Sequence, residues 1–371
     1  MTQVGAADET AKNMILVGFE HRVGRHCGST SLQDVMNYAG WPLSEAACFG
    51  LASGLAYYFK PPTPEIPLGI FMGRCRQLEN NFFENCGISF ERRSFDSFTA
   101  LETHIQAKLR LGRPVMLQGD LAGLPYYKSP MHFPGHKFVV CGYAGGMYTI
   151  ADTAFPELQV VTAAELTNST SYENAMWAGA FIAYDFEDNL PELTPASAAR
   201  VVARAIAQQV NELAEAKEHF FLAGDEAHQA WFNHTTFATA PANPYLGLGA
   251  RMFYQVIEKR GTGGGAFRGI YLDFIGELLR DQLFPFSVHE ALFKSQSEAQ
   301  RLLENLRICV SHSQQTLSRI AQVYKMLSIK KIPGIEAESQ VRNHLSQLKQ
   351  HEQDIITNLI LLKEQCKEII I

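Results

Sequence analysis

Near residue 187 the hydrophobic period of this 371-residue chain changes, and that change decides which architectures are open to it. Before it, short apolar runs bounded by Gly and Pro alternate with helix-like stretches. After it, apolar residues recur three and four positions apart over long runs, at 196–217, 292–327 and 336–370. Such spacing makes amphipathic helices, and the last two can close a hairpin around Pro333-Gly334. The change falls in "EDNLPELTPAS", where two prolines, a run of acids and a Ser/Thr cap read as a linker. The expected domains are therefore 1–187 and a mostly α-helical 188–371, each long enough for its own core.

Within the first part, residues 28–39, 43–58, 76–87 and 97–112 have helical spacing, and Gly87 is placed to stop the third. Strand-like runs are "LGIFMG", "RPVMLQGDL", "HKFVVCGY", "GGMYTIAD" and "GAFIAYDF", the third and fourth joined by a Gly-Gly turn. Helices first and a meandering sheet later indicate α+β rather than the alternation of a parallel α/β fold.

Charge and cysteine usage narrow the function classes. The net charge is -6 and only 19% of residues are charged, so nothing points to nucleic acid. No apolar run reaches about 18 residues, and the polar N-terminus lacks a signal peptide's basic segment, so a cytoplasmic protein off the membrane is expected. Seven scattered cysteines without a Cys-x-x-Cys pair argue against a disulfide framework and a structural zinc site. No metal is expected.

One cysteine has a context the others lack. In "EHRVGRHCGSTSLQDVMNYAG" Cys27 sits at the start of a helix, followed by small Gly28, Ser29 and Thr30. A helix N-terminus and a nearby imidazole lower a thiol's pKa, and the first-turn N–H groups can hold an oxyanion. The plain alternative is a small buried hydrophobe, the usual fate of a free cysteine; Cys48, Cys75, Cys86 and Cys141 are read that way. A base and its orienter lie in "PGHKFVVCGYAGGMYTIADTAFP": His136 opens one strand and Asp152 ends the next, so a hairpin can bring them together. Cys, then His on a strand, then Asp a hairpin later is the order of papain-like cysteine enzymes.

The chain resembles the papain-like acyltransferases of the butirosin-biosynthesis type. The resemblance rests on "HCGSTSLQDVMNYAGWPLSEAACFGLASGL", "GRPVMLQGDLAGLPYY", "HKFVVCGY…IAD" and, in the second half, the glycine-rich "EKRGTGGGAFRGIYLDFIGELL". It implies that Cys27 takes an acyl or aminoacyl group as a thioester from an acyl carrier protein or acyl-CoA, with His136 as base and Asp152 as its orienter. A small amine then takes the acyl group as an amide, in natural-product or polyamine-type biosynthesis. The donor is a phosphopantetheine thioester; no other cofactor is implied. Where the wider papain group has an oxyanion glutamine six residues before the cysteine, this chain has His21. His21, His26 or the backbone N–H of Cys27 is left for that role.

Other assignments are rival readings of single residues. Asp120, Tyr126 and Tyr127 could hold a cationic acceptor, or form an ordinary polar loop. His132, ahead of Pro134, suits the rim. Glu45 reads equally as the N3 carboxylate of a helix start or as a binding group. "RGTGGGAFRG" approaches a dinucleotide fingerprint but lacks a flanking strand; it reads as a tight loop at 261–265 with Arg268 free for a carboxylate or phosphate. Arg22, Arg25, Arg74, Arg76, Arg92 and Arg93 of the first domain could meet an acidic carrier or stand solvated. The C-terminal helices could pack together or form a homodimer. Two other functions stay open: a papain-like hydrolase or peptidase with the same triad, and a catalytically idle scaffold.

Overall fold

The computed structural model describes residues 15–64, 66, 68–173, 179–186, 190–214, 221–237 and 245–367. The expected boundary at 187/188 lies outside these residues. In chain order the first elements are α1 (Cys27–Tyr38), α2 (Glu45–Leu51), β1 (Leu55–Lys60), β2 (Ile70–Arg74), α3 (Leu78–Cys86), β3 (Phe90–Ser94) and α4 (Phe98–Arg110). Then come β4 (Val115–Gly119), β5 (His136–Ala144), β6 (Met147–Ala151), β7 (Gln159–Thr162), α5 (Ala163–Thr170) and β8 (Ile182–Phe186). The remainder is α6 (Pro195–Ala214), β9 (Leu222–Ala223), α7 (Gly224–His234), α8 (Leu246–Glu258), α9 (Arg268–Leu279), α10 (His289–Leu292), α11 (Gln296–Ser328) and α12 (Gly334–Gln365).

The chain is mixed α and β, with a sheet-containing N-terminal region and a mostly helical C-terminal one. Two compact units form, but not by a single cut: the first is Met1–Cys48 with Gly87–Pro191, the second Phe49–Cys86 with Glu192–Ile371. Residues 49–86, expected in the first domain, belong to the second unit. The physical reason is pairing: β1 is the centre of a three-stranded antiparallel sheet, order β2-β1-β9, so its hydrogen bonds tie 55–60 to 222–223. The helix expected over 43–58 accordingly stops at Leu51, and the β-favouring "LAYYFK" continues as a strand.

The first unit is built on a six-stranded antiparallel sheet of order β3-β8-β4-β5-β6-β7. Its central strands are buried almost throughout, which is why they read as continuous apolar runs. Leu101 and Ile105 of α4 pack on Val115, Leu117, Phe138, Val140 and Ile150 of the sheet. Caps set the element ends. Ser97 accepts from the Ala100 N–H at the start of α4, and Thr162 and Glu165 form a capping box on α5. The β5–β6 hairpin turns through Gly145 and Gly146, at φ 56° and 82°, backbone that a two-residue turn of this hand requires.

In the second unit α11 and α12 share one core, as the long periodic runs predict: Leu317, Ile320 and Tyr324 meet Val341, Leu345 and Leu348. An aromatic stack from Phe71 through Trp231 and Phe253 to Tyr324 continues it, with centroids 4.6, 5.6 and 4.6 Å apart. Among the described residues no helix is long and apolar enough to cross a membrane.

Candidate active site

Cys27 is the first residue of α1. The helix begins there because His26, in extended conformation, caps it through Nδ1, which accepts the Ser29 N–H at 3.3 Å. The turn before it is held by Glu45, whose Oε1 accepts the N–H groups of Arg25 and His26, both at 2.7 Å. Ser29 and Thr30 hydroxyls donate to the same oxygen at 3.4 and 3.2 Å. Gly24 has to be glycine, since a Cβ there would stand 1.9 Å from Thr30 Oγ1. Glu45 is therefore not an N3 carboxylate; it opens α2, which Ser44 caps, and clamps the loop that presents the cysteine.

His136 is the first residue of β5 and Asp152 immediately follows β6. The antiparallel register, with Val139 opposite Ala151, brings their side chains together: His136 Nε2 lies 2.9 Å from Asp152 Oδ2. Cys27 and His136 are near enough to shift each other's titration, the imidazole lowering the thiol and the thiol raising the imidazole. With Nε2 on Asp152, Nδ1 is the nitrogen left for the sulfur. The sheet and the helix start thus assemble Cys27, His136 and Asp152, all three named from the sequence.

The electrostatics follow from the order of these groups. Burial opposes charge on the thiol, but the hydrogen bond and charge of His136, and then Lys137, outweigh it and hold Cys27 below its ordinary value. Burial would also lower His136; Asp152 and then Cys27 reverse this and push it up to about 10. Against its own burial, Asp152 is held below the usual carboxylate range by His136, Tyr127 and Tyr126. Lys137 was not singled out in the sequence. It is buried under the Tyr184 ring and donates to Gln118 Oε1 at 3.0 Å, so no amphipathic pattern marks it.

The remaining sequence candidates divide. His21 is spent on structure: Nδ1 lies 2.6 Å from Asp34 Oδ2 and Nε2 donates to the Phe155 carbonyl at 2.9 Å, so neither nitrogen is left for an oxyanion. The Nδ1 of His26 is likewise committed to the helix cap. Tyr126 and Tyr127, read as contacts for a cationic acceptor or as part of a polar loop, donate to Asp152 at 2.8 and 2.7 Å. Asp120 is buried and holds the loop before β5, accepting the Phe133 N–H and lying 2.6 Å from His132 Nδ1. It does not face outward as a cation site. His132 does lie at the surface, with its ring stacked on Tyr172.

Arg268 is corrected outright. It is fully buried inside the second unit, where its Nη2 meets both carboxylate oxygens of Glu352 at 3.0 and 2.9 Å. It also donates to the carbonyls of Gly73, Ala266 and Ala56. No donor is offered to a carboxylate or phosphate from outside. Helices α8 and α9 flank the glycine segment, in keeping with rejection of a dinucleotide fingerprint. Arg74 and Arg76 lie in the second unit, not the first. Among the described residues no group of three or more His, Cys, Asp or Glu side chains is placed to hold a metal.

Comparison with known proteins finds matches to two family models. Residues 26–153 match the family described as "Butirosin biosynthesis protein H, N-terminal", a span that begins one residue before Cys27 and ends one after Asp152. Residues 182–359 match "Domain of unknown function (DUF4872)". No curated protein matches the chain. The chain thus carries a domain of the butirosin-biosynthesis type at its N-terminal side, followed by that later domain.

Proposed function

We propose that the protein is a cysteine acyltransferase that passes an acyl or aminoacyl group from a pantetheine thioester, on a carrier protein or coenzyme A, to an amine. The observation that carries this reading is Cys27 at the start of α1 beside His136, whose imidazole is hydrogen-bonded to Asp152. The Cys27 thiolate attacks the donor carbonyl, and the Cys27 backbone N–H, at a helix start with no acceptor in its own turn, faces the developing oxyanion. The tetrahedral intermediate collapses, the C–S bond to pantetheine breaks, and the imidazolium of His136 gives its proton to the departing thiolate. The amine then attacks the acyl-enzyme and yields a proton to His136. Cys27 leaves as thiolate and the product is an amide. The thiolate–imidazolium pair is suited to this exchange, because a thioester donor and a thioester intermediate are close in energy and only the amide step runs strongly downhill.

The family match supports a biosynthetic setting. The test is intact-protein mass spectrometry after mixing with a panel of acyl-pantetheine thioesters, beside Cys27→Ala. A mass gain on the wild type alone, discharged faster by amines than by water, is the expected result. A gain discharged by water alone would replace transferase by hydrolase. If neither free thioesters nor thioesters on a carrier protein add mass, the acyl-transfer reading fails.

A further inference from the structure

A His–Asp pair needs one hydrogen bond, yet Asp152 has three. Tyr127 donates to Oδ1 at 2.7 Å, Tyr126 donates to Oδ2 at 2.8 Å, and His136 Nε2 shares Oδ2 at 2.9 Å. The Asp152 side chain is 0% exposed, so these donors replace water. Both phenols come from the 3-10 turn Pro125–Tyr127, which Pro125 opens and Lys128 closes at φ 51°. Phe155 stands edge-on to both rings, at 5.0 and 5.1 Å with 82° between planes. The Tyr127 ring is in turn perpendicular to the imidazole of His136, centroids 5.4 Å apart. Nothing about a polar loop requires two consecutive hydroxyls to end on one buried carboxylate.

We propose that Tyr126 and Tyr127 are positioning residues: their hydroxyls hold Asp152 ionised in one orientation and, by taking a share of its charge, limit how tightly His136 keeps its proton. The inference rests on the acid–base role given to His136 above. A buried carboxylate bound to imidazolium alone would turn about its last bond and grip the imidazolium proton harder. Here turning breaks two further hydrogen bonds, and the charge is spread over three donors. The relay needs this moderation, because His136 has to release its proton to the departing thiol and take another from the amine. Burial and the neighbouring carboxylate push both phenols well above their ordinary value, so they stay donors across the working range. Among the described residues the other charged groups acting on the pair are Cys27 and Lys137, with His21 nearby in its pair with Asp34. None of them changes when a tyrosine becomes phenylalanine.

The experiment compares Y126F, Y127F and wild type as full-length protein, since phenylalanine keeps the ring packing and removes only the hydroxyl. The titration of His136 is followed by NMR on protein with 15N-labelled histidine, and Cys27 alkylation by iodoacetamide across pH; neither needs an acyl donor. Each variant is expected to raise the His136 pKa by about half to one unit. The discharge of acyl-enzyme to amine should slow about tenfold. A His136 titration unmoved in both variants would make the tyrosines mere packing and overturn the inference. Should Y127F not fold, Y126F decides alone, because its hydroxyl shares Oδ2 with His136. If Cys27 alkylates in the wild type no faster than an ordinary thiol, there is no relay to position and the inference falls. If alkylation is fast but no thioester charges the enzyme, the acyl-transfer reading fails while the role of the tyrosines stands.

Discussion

Each unit of this protein buries a carboxylate against a cation, and the two pairs do opposite things. In the first, Asp152 meets an imidazole that lowers the thiol of Cys27 at a helix start. In the second, Glu352 meets the guanidinium of Arg268, whose remaining donors end on backbone carbonyls and Ser313. Imidazole can pass its proton to a reacting group and guanidinium cannot, so the first network is suited to proton exchange while the second only holds elements together. Burial of charge alone therefore does not mark a site. What separates the two is a titratable member and a terminal atom able to react.

Four substitutions and a pH series press on that contrast. Cys27→Ala should abolish acyl-enzyme formation entirely while thermal unfolding stays near wild type, since the side chain is small and half-buried; adduct on another cysteine would break the assignment. His136→Ala should slow acylation of Cys27 by about 10² to 10⁴-fold, read as the rate of mass gain. Glu352→Ala should do the reverse. Stripping one partner from a buried pair costs about 3–5 kcal/mol of stability, seen in chemical denaturation, while alkylation of Cys27 per folded molecule stays within about twofold. A slowed thiol in that variant would show that the two networks are coupled. Glu45→Gln should be milder, about 1–3 kcal/mol, because two backbone N–H groups lose a charged acceptor.

The pH series has the smallest amplitude and the clearest sign. His136 is raised above its ordinary 6.5, so its contribution to stability is complete below that value and is lost as pH rises through about 10. Asp152 is lowered below 3.8, so its contribution is present above that value and is lost as pH falls through the depressed one. Iodoacetamide should accordingly modify Cys27 well below pH 9.0, the ordinary thiol value, with the rate falling as acid protonates the thiolate. Burial pushes Cys75 and Cys86 up, and Cys141 up to about 12, so these should stay unmodified in the folded protein. Equal labelling of Cys27 and Cys141 at neutral pH would erase the distinction between them.

Local pattern was enough for much of this. The 3.6-residue period of 292–327 and 336–370 gave the C-terminal hairpin, and alternation broken by Gly145-Gly146 gave the hairpin that joins His136 to Asp152. Cys27 was legible because its helix start and small neighbours are local facts. The fate of 55–60 was not, because a strand's sheet is chosen by a partner far along the chain, at 222–223. Nor were the partners of single polar side chains. His21 and Arg268 looked available, and Tyr126 and Tyr127 looked like ligand contacts, since a polar residue in a loop carries no record of what it faces. Periodicity reports which side of an element is apolar. Whether a buried donor is spent on a carbonyl or ends on the carboxylate of the candidate site depends on directions in space, and those are set only when distant segments pack.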